Sequence, residues 1–171
     1  FDKKLRVLLF NEIEKIEIAF REAVANITAK LSGDIFWICE AQHFRNQAAY
    51  AKTFSLIDTE YKKSTEDFIK HFKNKYSNAY APAWIIAEII PFGTMIQLYK
   101  NLANQRIRKQ ISMEFFLQPQ VLESWMTNLV LTRNACCHHS RIWNKVNLIL
   151  PADIKHIIQP WITHPTSKDR I

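Results

Sequence analysis

At 171 residues the chain has room for one compact domain, which buries roughly 70% of the surface its unfolded form exposes. Only two glycines, Gly33 and Gly93, and six prolines leave too little turn chemistry for a many-stranded β protein. A net charge of +7 with a pI near 9.4 leans toward anionic partners, although solvated lysines produce such a balance by themselves. The expected fold class is therefore all-α, a helical bundle forming a single domain.

Cys39, Cys136 and Cys137 are an odd set without framework spacing, which fits reduced thiols of a cytoplasmic protein acting as small buried hydrophobes. The most apolar stretch, Ala83 to Phe92, is broken by Glu88 and Pro91, so no membrane span is expected. There is no internal repeat and no linker. The domain is expected over residues 1–159, with 160–171 as a C-terminal tail, and Phe1-Asp2 reads as a cut into a longer chain.

Leu5, Leu9, Ile13, Ile16, Phe20, Val24, Ile27 and Leu31 recur every three or four residues with charges between them, predicting a long amphipathic helix that ends near Ser32-Gly33. A shorter aromatic segment follows over 34–44. Ser64 and Asp67 form a variant capping box, predicting a helix from Ser64 to about Tyr76. Trp84 to Ile90 reads as a helix stopped by Pro91-Phe92-Gly93, with the helical period resuming from Thr94 to Leu102.

Arg106, Arg108 and Lys109, close behind Lys100, make the most basic local stretch, ahead of the apolar Ile111, Met113, Phe115 and Phe116. A solvated helix face is the commoner meaning of such a run. An RNA track is the alternative, and it makes Arg106, Arg108 and Lys109 candidate substrate contacts. The next helix is predicted to begin near Gln118-Pro119, with Val121, Leu122, Trp125, Met126, Leu129 and Val130 as its core stripe.

At the far end of that helix lies Arg133-Asn134-Ala135-Cys136-Cys137-His138-His139-Ser140-Arg141. A histidine with an ordinary pKa near ~6.5 exchanges protons at cellular pH, and an arginine grips phosphate in a bidentate fork. On a helix Asn134, His138 and Arg141 share one face, whereas Arg133 lies roughly 140 degrees from His138. The pair therefore converges only through the arginine's long stem, a helix end, or a second copy of the motif.

Two blander readings compete. Zinc would need more than Cys136 and His139 at i and i+3, and no second pair completes a tetrahedral site. The histidines could merely cap a helix end or donate to a buried carbonyl. Two arginines and an asparagine beside them serve no packing purpose, which favours a functional site with His138 as its first member.

The pattern Arg133-Asn134-x-Cys136-x-His138-His139-x-Arg141-x-Trp143-Asn144 resembles the signature of bacterial abortive-infection proteins (Abi-like, AbiD/AbiF type) of the HEPN superfamily of helical nucleases. Two further blocks agree: Phe1-Asp2-x-x-Leu5-Arg6 leading into Ile13-Glu14-x-Ile16-Glu17, and Pro82-Ala83-Trp84 through Glu88 to Phe92-Gly93. Cys137 stands where a small alanine is expected, a minor departure that leaves the polar residues intact.

The resemblance implies a HEPN-like bundle in which Arg133 and His138 form the catalytic pair and Asn134 orients them. His139, Arg141 and Asn144 match the extension of the motif as substrate contacts. It further implies a homodimer with a composite site, no cofactor, and an RNA partner: transfer RNA, messenger RNA or a small regulatory RNA, with an RNA or protein antitoxin as a further partner. The implied activity is a metal-independent endoribonuclease of phage-defence or toxin type, in which the RNA 2′-hydroxyl attacks the adjacent phosphate and leaves a 2′,3′-cyclic end. The alternative is a module that binds RNA or dimerises without cutting.

Overall fold

The computed structural model describes residues 1–146 and 149–153. The expected boundary near residue 159 and the tail from 160 to 171 lie outside the described residues. Among the described residues there are seven α-helices and two short 3-10 turns, no strand, and one isolated bridge between Phe44 and Leu102. No described helix is long and apolar enough to cross a membrane.

Helix α1, Asp2–Ser32, is the spine of the bundle and touches four later helices. It stops where predicted because Gly33 takes a left-handed conformation, φ 71°, and donates its N–H to the Ala29 carbonyl at 3.0 Å. The 3-10 turns Trp37–Cys39 and Ala41–His43 follow, with the Trp37 indole N–H buried against the Ala25 carbonyl at 3.2 Å.

Helix α2, Gln47–Lys63, has no counterpart in the sequence reading, although Tyr50, Phe54, Ile57 and Tyr61 carry the helical period and Asn46 accepts the Ala49 N–H as an N-cap. The capping box at Ser64 does not form. Ser64 instead ends α2, and helix α3, Asp67–Lys75, starts after Glu66 because the Ser64 hydroxyl is spent on the Glu66 N–H.

Helices α4, Ala83–Ile89, and α5, Phe92–Asn101, are split by Pro91 as expected. Helix α6, Gln105–Met113, is capped by the Asn104 side chain, and helix α7, Pro119–Cys137, carries the motif at its C-terminal end. The core gathers around Phe20, which meets Phe92 and Tyr99 edge to face at 6.0 and 5.6 Å.

Candidate functional site

Pro91 starts the chain of contacts that builds the site. A proline offers no N–H, so the Ala87 carbonyl, four residues earlier, loses its helical donor. The Ile90 carbonyl is also open, because the Thr94 N–H donates to Pro91 instead. Arg21 of α1 fills both gaps, donating to Ala87 O at 2.5 Å and Ile90 O at 2.7 Å. The same guanidinium holds Glu17, one turn earlier, through Nε at 3.1 Å and through Nη2.

Glu17 in turn faces Arg133 of α7, with Oε2 3.7 Å from Nε. That is an ion pair too long for a hydrogen bond, and the Arg133 Nε, itself out of solvent, makes none among the described residues. Phe10 lies under the guanidinium, 5.9 Å from its ring centre. A helix break thus positions the first residue of the motif through two intervening side chains.

Arg133 and Asn134 line a cleft of about 840 Å³ among α1, α2, the α4–α5 break and α7. A smaller groove of about 320 Å³, lined by Lys3, Arg6, Asn11 and His139, lies beside it, and Phe10 borders both. All three sequence blocks that carry the resemblance meet here.

The helix ends sooner than the shared-face expectation requires. His138 is the C-cap of α7, and His139 adopts φ 55°. The His139 N–H donates to Cys136 O at 3.2 Å and the Ser140 N–H to Ala135 O at 2.9 Å, the paired bonds of a Schellman close. A histidine fills the place that glycine usually takes, at a backbone cost of about 1 kcal/mol. Arg141 therefore leaves the Asn134 face, and its Nε donates to the Trp143 carbonyl at 3.1 Å. His138, His139, Arg141 and Asn144 are all exposed, and Asn144 repeats the left-handed conformation at φ 53°.

The turn after the histidines is held from the other end of the chain. Asp2 Oδ1 accepts the N–H groups of Trp143 at 2.8 Å and Ile142 at 3.1 Å. Arg6 pairs with Asp2 and donates to the Ser140 carbonyl at 3.2 Å, while Phe1 meets the Trp143 ring edge to face at 4.8 Å. The Trp143 N–H, the Ile142 N–H and the Arg6 and Arg141 charges together hold the Asp2 carboxyl below the usual carboxylate range.

The basic stretch divides. Arg106 and Lys109 are exposed, but Arg108 is only 4% exposed and forms an ion pair with Glu123 of α7. It also donates to Gln105 Oε1 at 3.2 Å. Contrary to the expectation of an RNA contact, this guanidinium is folded into the α6–α7 interface and unavailable to a phosphate on the surface. The sequence could not separate it from its neighbours, because Glu123 lies in a different helix.

The cysteine expectation divides too. Cys136 is buried, with burial raising its thiol pKa, whereas Cys137 is exposed. Among the described residues no three His, Cys, Asp or Glu side chains gather as a metal ion would require. No motif in the sequence marks Arg21. The signal available was Pro91 itself, whose unpaired carbonyls call for a donor from elsewhere.

No curated protein and no solved structure matches the chain. The profile of the Abi-like protein family matches residues 1–144, a span that takes in the Asp2 contacts, the Arg21–Glu17–Arg133 chain and the two histidines, and the chain belongs to that family.

Proposed function

We propose that this protein is a metal-independent endoribonuclease of HEPN type, acting in phage defence by abortive infection or as a toxin. The observation that carries the reading is the placement of Arg133: anchored by Glu17 at the mouth of a large cleft, just before the helix end that exposes His138. Core packing has no use for that combination, whereas phosphodiester transesterification does.

In the proposed reaction the RNA 2′-oxygen attacks the neighbouring phosphorus and the bond to the 5′-oxygen breaks, leaving a 2′,3′-cyclic phosphate and a 5′-hydroxyl. His138 acts as general base toward the 2′-hydroxyl proton or as general acid toward the departing 5′-oxygen. Arg133, with Arg141, stabilises the charge that builds on the phosphate oxygens. Asn134 and His139 orient the strand, and Asn144 and the exposed Arg106 and Lys109 extend its contacts. A homodimer brings a second His138 so that both proton transfers are served.

Abortive infection fits a nuclease whose targets are transfer, messenger or small regulatory RNA and whose restraint comes from an RNA or protein antitoxin. The test is cleavage of labelled total and transfer RNA in EDTA by the wild type and by His138→Ala, with product ends mapped and mass in solution measured in parallel. The expected result is cyclic-phosphate ends, lost by about 10²–10⁴-fold in the variant. Tight RNA binding without cutting by a folded dimer would replace this reading with that of a binding module.

A further inference from the structure

Resting on the RNA reading above, we propose that the large cleft reads a guanine base of the bound RNA next to the scissile phosphate, which stays at the cleft's Arg133 edge, while the strand's further phosphates cross the smaller groove beside His139. The two hollows flank Phe10 and differ in charge. The small one offers Lys3, Asn11 and His139. The large one contains three carboxylates, Glu14, Glu17 and Glu88, against two guanidiniums, Arg21 and Arg133.

Only Glu17 is compensated, by Arg21 and Arg133. Glu14 and Glu88 have no partner among the described residues. Two uncompensated carboxylates repel a phosphate and attract a neutral group rich in N–H donors. At about 840 Å³ the cleft falls in the range of small-ligand sites, roughly 300–1,000 Å³, and has room for a nucleotide.

A second observation is independent of the acidic residues. Thr94 lines the cleft at 7% exposure, and its hydroxyl has no hydrogen-bond partner among the described residues. In a helix a threonine hydroxyl ordinarily bonds to the carbonyl four residues back. Here that carbonyl, of Ile90, is occupied by Arg21. An unpaired hydroxyl on the wall of a cleft is open to a partner from outside the chain.

Guanine answers both halves. Its Watson–Crick edge is the one among the standard bases with two adjacent N–H donors, N1 and N2, which match the paired oxygens of a carboxylate, and its O6 accepts from a hydroxyl such as that of Thr94. Phe10, on the border between the hollows and beside the Arg133 guanidinium, supplies apolar aromatic surface for the base as the strand turns from groove to cleft. Lys3 takes the adjacent phosphate.

The test uses uncleavable 2′-fluoro octamers of uridine carrying one central guanine, inosine, adenine or cytosine, with binding followed by fluorescence anisotropy over a salt series. The guanine octamer should bind about tenfold tighter than the others, and inosine, which lacks the N2 amine, should lose most of that gain. Glu88→Gln and Glu14→Gln, both at exposed positions, should bring the guanine-to-uridine ratio toward one while retaining the salt slope. Lys3→Ala should weaken all octamers alike and reduce the slope by about one.

Equal affinity for all octamers, or a preference untouched in both glutamine variants, would overturn the proposal. The cleavage assay decides the nuclease reading separately. RNA cut without guanine preference removes only the base-reading cleft, and guanine preference without cutting leaves the cleft as the site of a binding module.

Discussion

The two ends of α7 obey different rules. Its first half is packed into the bundle, with Leu122 and Met126 buried and Glu123 paired to the buried Arg108. Its last turn leaves the core: Asn134, Cys137, His138 and His139 are exposed, and the backbone closes through a left-handed histidine instead of a glycine. Stability concentrates where the helix is covered. The polar candidate residues concentrate where it runs out, exposed to solvent, and a strained close persists only when other contacts hold it. Here those contacts are Asp2 and Arg6.

The contrast can be broken most severely from the core side. Phe20→Ala should cost about 3–5 kcal/mol of stability, because the ring is fully buried against Phe92 and Tyr99. A urea titration would show the midpoint falling at an unchanged slope. Removing one partner of the covered ion pair comes next. Glu123→Ala should cost about 3 kcal/mol by leaving the Arg108 charge buried alone, whereas Arg106→Ala at an exposed position should change the midpoint little.

At the motif end the effects shift from stability to function. Glu17→Gln should lower RNA cleavage by about 10²-fold through a misplaced Arg133, with a smaller loss of stability than Phe20→Ala; kcat should fall more than KM rises. A variant that cleaves normally would remove Glu17 from its positioning role.

The Asp2 contact gives a pH-dependent comparison. Its folded pKa lies below the ordinary carboxylate value of about 3.9, so the contact is fully present at neutral pH and fades as acid carries the group through its folded pKa. Hydrogen exchange at the Ile142 and Trp143 amides should quicken in Asp2→Asn at pH 7. Core amides of α1 should stay protected.

The smallest expected effect has the opposite sign. His139→Gly should relieve the left-handed backbone and raise stability by about 0.5–1 kcal/mol, seen as a melting temperature a few degrees higher. A lower melting temperature would mean that the imidazole contributes more to the fold than its backbone costs.

Much of this architecture was legible from one-dimensional pattern. The run from Leu5 to Leu31 and the stop at Gly33 follow from helical period and a left-handed cap. The break at Pro91 follows from a missing N–H, and the start at Pro119 from a proline's tolerance for a first helical turn. Helix α2 was missed, although Tyr50, Phe54, Ile57 and Tyr61 carry the period behind an asparagine cap. The Ser64 capping box, by contrast, was a local signal that the end of α2 overrode.

What the sequence by itself determined is therefore the helical class, most helix limits and the nine-residue candidate segment from Arg133 to Arg141, because these rest on contacts among near neighbours. Only the tertiary structure decided which arginine is available and which is buried, and which residues position the site. Arg108 and Glu123 are 15 positions apart, Glu17 and Arg133 are 116, and Asp2 and Trp143 are 141. Local propensity has no reach over such separations, so these pairings arise only once the core has packed and brought the helices together.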